Sequence, residues 1–364
     1  MKLKTLLLSS AAAFAFVGAA QAADLSVAEP VDYVKVCDAF GAGYWYIPGT
    51  DTCLKIGGHV REDIVFHSVK DVWYGSSSHS AGWQFITEGQ VTVTAKSMTE
   101  YGPLTGFVEL LAKSDNAKST NSLGERLAYS GDMYLSLGML LVGRTGSVYD
   151  YSGGFTWDWK DLDSDAATDQ VRLTWAMSGF GIQLAIEDPR DRWGTSLSTS
   201  YEMPNIVGNI TWAQGHWSAQ LSGGFAETTG GSGFGAQIAS TIKLDQIAPG
   251  DQLLLKAAWA QNEVASFANS SASVASSGSI WSAAASFQHF WAPTLSSAVT
   301  FQYSSQSAAT TGVTVASQDA YSIAGNLVWS PVTGFFAGVE GGYAKSSLSS
   351  TGTWGVKIRL QRDW

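Results

Sequence analysis

The sequence predicts an all-β fold: a 16-stranded antiparallel transmembrane β-barrel with one loop folded into the lumen to constrict it. Three observations lead there. About sixteen segments of roughly ten residues alternate apolar and polar side chains, as a strand does when one face meets lipid and the other water. The connections between them are short and long by turns, the layout of an antiparallel barrel with turns at one rim and loops at the other. One stretch, from Arg144 to Asp169, does not alternate; it reads RTGSVYDYSGGFTWDWKDLDSDAATD, aromatic, Gly-rich and acidic. A connection longer than about 15 residues without its own periodicity is usually functional. The chain on either side favours an infolded loop over a solvated acidic surface loop.

Composition agrees with a barrel in lipid. Charged residues make up 14% of the chain, against about a quarter in ordinary soluble domains, while aromatics reach 12% and glycines number 39. A soluble secreted β-rich binding protein, such as a lectin, would share the glycines but carry more surface charge. It would also have no reason to sort its loops by parity.

Residues 1–22, MKLKTLLLSSAAAFAFVGAAQA, place Lys2 and Lys4 ahead of an apolar core and end on Ala20-Gln21-Ala22, the pattern of a secretory signal peptide. The mature chain is then expected to start at Ala23, outside the cytoplasm. Of the 21 basic residues, 19 remain after that removal, against 31 acidic ones, so there is no electrostatic case for nucleic acid. No later segment approaches the roughly 20 apolar residues of a membrane-spanning helix. Residues 23–53 lack alternation, hold a Gly- and aromatic-rich run from Gly41 to Gly49, and are expected to form a periplasmic lead-in. Within it, Cys37 and Cys53 could close a local loop contributing about 3 kcal/mol, or stay two unpaired small residues. No CxxC motif or histidine cluster makes them a metal or redox site.

The barrel is expected over 54–364. In its first segment Leu54, Ile56, Gly58 and Val60 share one face, and Lys55, His59, Arg61 and Asp63 the other. Segments of this texture are expected to begin near 54, 83, 103, 124, 137, 169, 180, 205, 216, 234, 251, 279, 294, 318, 334 and 353. Short turns are expected at 136–138, 178–181, 213–216, 248–250, 292–294 and 330–334. Long connections are expected at 70–80, 113–124, 188–203, 227–232, 262–277, 304–317 and 345–350, besides the acidic stretch. The last segment ends on Trp364, an aromatic suited to the membrane interface, although the same parity puts Arg362 on the lipid side near the rim.

Parity puts Lys55, Arg61, Arg126, Arg172, Lys256, Lys357 and Arg359 on inward faces, and Arg144 at the mouth of the infolded loop. That loop offers Asp150, Asp158, Asp161, Asp163 and Asp165. A basic wall opposite an acidic loop would set a transverse field across the constriction, in which polar solutes pass more easily than apolar ones. For any single one of these residues the plain alternative is a solvated charge or an ion pair worth under about 1 kcal/mol. Trp157 and Trp159 would either pin the loop to the wall or stack sugars, and pinning is the preferred reading. Asp161-Leu162-Asp163-Ser164-Asp165 begins like a calcium loop, but Ala166 replaces the turn glycine and Arg172 stands where the closing glutamate belongs, so no metal is expected. The chain holds no GxSxG, no HExxH and no phosphate-cradling glycine loop. His59 and Asp63 read as lumen-lining polar groups, so neither enzyme activity nor a cofactor is expected.

Residues 29–61, EPVDYVKVCDAFGAGYWYIPGTDTCLKIGGHVR, resemble the N-terminal signature of the alphaproteobacterial outer-membrane porins of the Brucella and Rhizobium type. Residues 124–151, GERLAYSGDMYLSLGMLLVGRTGSVYDY, are similar to the fourth and fifth strands of general porins leading into the pore-lining third loop. The resemblance implies a sixteen-stranded barrel held in outer-membrane lipid as a homotrimer, through which small hydrophilic solutes and ions diffuse passively. A substrate-specific, sugar-type channel is the nearest alternative. The acidic Pro-Gly motif found in the third loop of some enterobacterial porins is absent here.

Overall fold

The computed structural model describes residues 35–68, 82–115, 127–157, 162–193, 203–228, 231–262, 264–269, 278–307, 309–311, 313–315 and 317–364. The signal peptide expected at 1–22 and the first residues of the lead-in lie outside them. So do most of the long connections expected at 70–80 and 113–124.

Sixteen strands form the wall. The first eight are β1 Cys53–His67, β2 Gly82–Thr99, β3 Gly102–Asp115, β4 Leu127–Leu137, β5 Leu140–Gly146, β6 Ala167–Met177, β7 Phe180–Glu187 and β8 Asn205–Gln214. The rest are β9 Trp217–Thr228, β10 Gly231–Lys243, β11 Gln252–Gln261, β12 Ser279–Ala292, β13 Leu295–Gln306, β14 Gln318–Val332, β15 Phe335–Ser346 and β16 Thr353–Asp363. Each pairs antiparallel with its neighbours in chain order, and β16 closes onto β1 with Arg359 opposite Asp63 and Val356 opposite Phe66. Closure leaves no unpaired edge, the condition for a sheet to stand in lipid. Every strand starts within three residues of its predicted position, because two-faced alternation is a local property of the sequence.

The burial pattern is inside out. On β14, Tyr321, Ile323, Leu327 and Trp329 are exposed on the outer face, while Ser322 and Asn326 between them are buried on the inner one. In water such apolar exposure would cost roughly 25 cal/mol per Å², and in lipid it costs nothing. Exposed aromatics gather at the strand ends: Trp83, Trp281 and Trp354 at the long-loop rim, and Trp217, Trp329 and Trp364 at the short-turn rim. Trp354 and Trp364 stand ten residues apart on one strand. At about 3.3 Å per residue and a tilt of roughly 40°, they bracket about 25 Å, the height of a lipid-facing band.

Short connections do fall at one rim, though that after β10 runs over 244–251 and is longer than the turn expected there. At the other rim the long loop expected at 227–232 is a hairpin tip, with Glu227 opposite Ser232 and Thr228 opposite Gly231. Polar residues and glycines read as loop, but ladder hydrogen bonds need no apolar side chain, so pairing continues past the apolar band. The connection expected at 304–317 likewise carries a small hairpin of Ala309–Thr311 with Val313–Val315.

The lead-in folds back on the barrel. Cys37 and Cys53 form a disulfide with Cα atoms 6.0 Å apart, and Trp45–Tyr46 pairs with Leu54 and Cys53 at the start of β1. The far end is tied to the same place: the Trp364 amide donates to the Gly58 carbonyl at 3.1 Å. Arg362 is exposed at that rim, as parity predicts, and donates to the Gly334 carbonyl at 2.9 Å.

Candidate functional site in the barrel lumen

The non-alternating stretch leaves the wall after β5 and returns at β6, so residues 147–166 form the connection. Its outward path runs along the inner faces of β8 to β16, held mostly through its backbone. Asn209 donates to the Val148 carbonyl at 2.6 Å and Gln237 to the Tyr149 carbonyl at 2.8 Å. Gln220 donates to the Asp150 carbonyl at 3.0 Å. Further on, the Phe155 amide donates to Ser286 Oγ at 2.9 Å, Asn326 donates to the Phe155 carbonyl at 3.0 Å, and the Trp157 amide donates to Glu340. Lys357 Nζ closes the series on the Trp157 carbonyl at 2.8 Å. An irregular segment cannot satisfy its own peptide groups, and here the amides and hydroxyls of the inner wall do so. Of those wall residues, Asn209, Gln220, Gln237, Ser286, Asn326 and Glu340 are buried.

Trp157 is pinned. Its ring lies 5.0 Å from the Arg359 guanidinium and 6.1 Å from the Phe336 ring, over Gly338, where a Cβ would approach the indole to 2.7 Å. Its partner in the sugar-stacking alternative, Trp159, lies outside the described residues, as do Asp158, Asp161 and Arg126.

Several of the acids and bases expected to face one another across the constriction are engaged in ion pairs. Asp163 is bound by Lys256, with both side chains at most 4% exposed. Asp150 accepts from Arg192 at 3.3 Å, from the Ala166 amide at 2.7 Å and from Ser164. Arg359 forms a two-pronged pair with Asp63 at 2.7 and 2.8 Å, Arg61 meets Glu88 at 2.5 Å, and Arg144 meets Asp191 at 2.7 Å. Two of these pairs dock the loop, Asp163 on Lys256 of the wall and Asp150 on Arg192 of the segment after β7, while Asp63 with Arg359 and Glu88 with Arg61 join neighbouring strands. Asp165 is exposed, Arg172 stands on the inner face near Tyr134 and Asp132, and Lys55 lies at the short-turn rim beside Tyr44.

Two parts of the site lay beyond the sequence expectations. The first is α1, Pro189–Trp193, which turns inward after β7. Its Arg192 side chain is fully buried and also donates to Glu187 at 3.3 Å. Burial alone would lower the guanidinium pKa; Asp150 and Glu187 more than offset it and raise the value above the usual range. The second is the segment 264–269, which packs Phe267 4.6 Å from Tyr149, with Arg192 4.7 Å from the Phe267 ring. With Val148, Val264 and wall alanines these rings make an apolar cluster inside the barrel, and burial raises the Tyr149 phenol well above its ordinary pKa. Gly224 and Gly235 on the wall make room, since a Cβ on Gly224 would sit 2.5 Å from the Phe267 ring. Signals for both existed: Asp-Pro is a helix start, and glycines inside strands mark close approach.

The lumen is thus filled along β8 to β16 and lined on the facing wall by the charged and polar side chains of β1 to β6. Among solved structures, the outer membrane channel DcaP of Acinetobacter baumannii is similar in fold, with a TM-score of 0.71 at 15% identity, covering 88% of this chain and 99% of that one. The outer membrane protein y4fJ of Sinorhizobium fredii is 38% identical over 178 residues, an alignment spanning 47% of each chain. The porin Omp2b of Brucella canis is 30% identical over an alignment of 388 residues that spans 100% of both chains. The family model for the porin subfamily matches residues 24–358, and the chain accordingly belongs to that subfamily of outer-membrane barrels.

Proposed function

We propose that the chain forms a passive diffusion pore for small hydrophilic solutes and ions in the outer membrane, assembled as a homotrimer, with residues 147–166 as its constriction. The observation that supports this reading is the seating of residues 148–157 along the inner wall from β8 to β16, inside the closed barrel. A solute passing there meets water and charged side chains, and selectivity follows from width and fixed charge. Because Asp150 and Asp163 are neutralised by Arg192 and Lys256, the loop carries less net negative charge than its composition suggests. A small reversal potential in a salt gradient is therefore expected. The sugar-specific alternative loses one of its supports, since Trp157 is covered by Arg359 and Phe336. The test is single-channel recording of purified, unheated protein in a planar bilayer. Ohmic steps arriving in threes, with a heat-sensitive trimer on gels, are the expected result. Folded protein that passes no chloride or potassium current would remove the diffusion-pore reading.

A further inference from the structure

A second group of side chains gathers at the short-turn rim. The disulfide-closed segment from Lys35 to Thr52 carries Tyr44, 8% exposed, onto the inner face at the short-turn rim. Lys55 Nζ lies 5.7 Å from the Tyr44 ring centroid and Lys96 Nζ 5.4 Å, while Lys96 is also 5.8 Å from the Phe40 ring and Lys35 5.2 Å from that of Tyr46. Lys55 shares its strand face with His59, Arg61 and Asp63, and Lys96 sits opposite Cys53 on the same inner face as Glu88. Both therefore point into the water path.

Most of the other cations in the lumen face a carboxylate. Arg61, Lys113, Arg144, Arg192, Lys256 and Arg359 each have a carboxylate oxygen at 3.7 Å or less. Among the described residues, Lys55 and Lys96 have none; their partners are aromatic faces. An aromatic face attracts a cation without neutralising it, so two positive charges stand uncompensated around one buried ring. Lysine is a point-charge ligand for phosphate groups, and rings of basic side chains select anions in pores.

Resting on the pore reading above, we propose that Lys55 and Lys96, held around Tyr44 by the disulfide-closed segment, form a binding site for a small oxyanion of the inorganic phosphate class at the short-turn mouth. The pore then has two filters in series. The third loop sets width within the barrel, and the lysine pair holds oxyanions at the short-turn mouth. Chloride, with a single charge and no separated oxygens to bridge two ammonium groups, passes the site with little retention.

The test uses chloride current through the full mature protein in planar bilayers, with inorganic phosphate added to one compartment and then the other. Partial block from one side only is expected. In the Lys55→Gln/Lys96→Gln variant the half-blocking phosphate concentration should rise at least about tenfold, the loss of charge-assisted contacts to two ammonium groups. The Lys55→Arg/Lys96→Arg variant, which keeps both charges, should retain the block. Equal block in the parent chain and the glutamine variant, or none in a parent chain that conducts chloride, overturns the site and leaves the pore standing. A folded parent chain that conducts no chloride overturns the pore reading and the site with it.

Discussion

Arg192 is the residue on which the docked loop turns. Its guanidinium meets Asp150 from the third loop and Glu187 from the wall, and lies against the rings of Tyr149 and Phe267. Removing one partner of such a buried group leaves the others charged and unpaired, a loss of about 3 to 5 kcal/mol at the site. Arg192→Gln is therefore expected to free the loop locally while the barrel still assembles. Limited proteolysis between 147 and 166 should become faster and open-channel noise should grow; cleavage and noise like the parent chain's would show that Arg192 is not the latch. The loop acids were legible as a set, because five aspartates in one aperiodic stretch stand out. Their partners were not. Arg192 lies 42 residues from Asp150 in sequence, and nothing in a polar loop marks one arginine as inward.

At the scale of the element, α1 exists because of how it begins. Asp188 precedes Pro189, and its carboxylate accepts from the Arg190 amide at 2.9 Å and from the Arg190 guanidinium at 3.0 Å. A carboxylate cap followed by proline is a favoured helix start. The hydrogen bond from Arg190 holds the Asp188 carboxyl below its ordinary pKa. A depressed folded-state pKa contributes stability that is present above the unfolded value, about 3.9, and is lost as pH falls through the folded one. Asp188→Ala should then loosen α1 by about 1 kcal/mol at neutral pH. Because α1 carries Arg192, channel noise should rise with it, and the difference from the parent chain should shrink as pH falls from the unfolded value of about 3.9 through the depressed folded one. A difference independent of pH would mean that the cap does not act through its charge. The strands themselves needed no such detail: alternation located all of them, while the five-residue α1 was too short for any periodicity to show.

For the whole molecule, stability and passage are separate properties. Closure of β16 onto β1 gives every strand two partners, whereas the disulfide ties only the lead-in to the rim. Constraining a loop of this length contributes about 3 kcal/mol. The Cys37→Ser/Cys53→Ser variant is accordingly expected to keep the heat resistance of the parent barrel while residues 35–52 become open to protease. A barrel that melts at clearly lower temperature would show instead that the lead-in is part of the wall's stability. The same separation explains the loop at 227–232, where polar side chains say nothing about the backbone ladder that runs through them.

The sequence by itself determined the barrel, its strand number, its two rims and the stretch that enters the lumen. These follow from local alternation and from which residues tolerate lipid, properties that each segment carries alone. Only the tertiary structure decided which charges meet. Asp163 with Lys256, Asp150 with Arg192 and Asp63 with Arg359 join residues far apart in the chain, and Lys55 and Lys96 meet the Tyr44 ring with no carboxylate partner among the described residues. Charge pairing depends on distances of a few ångströms across a closed wall, and those distances exist only once the barrel has closed.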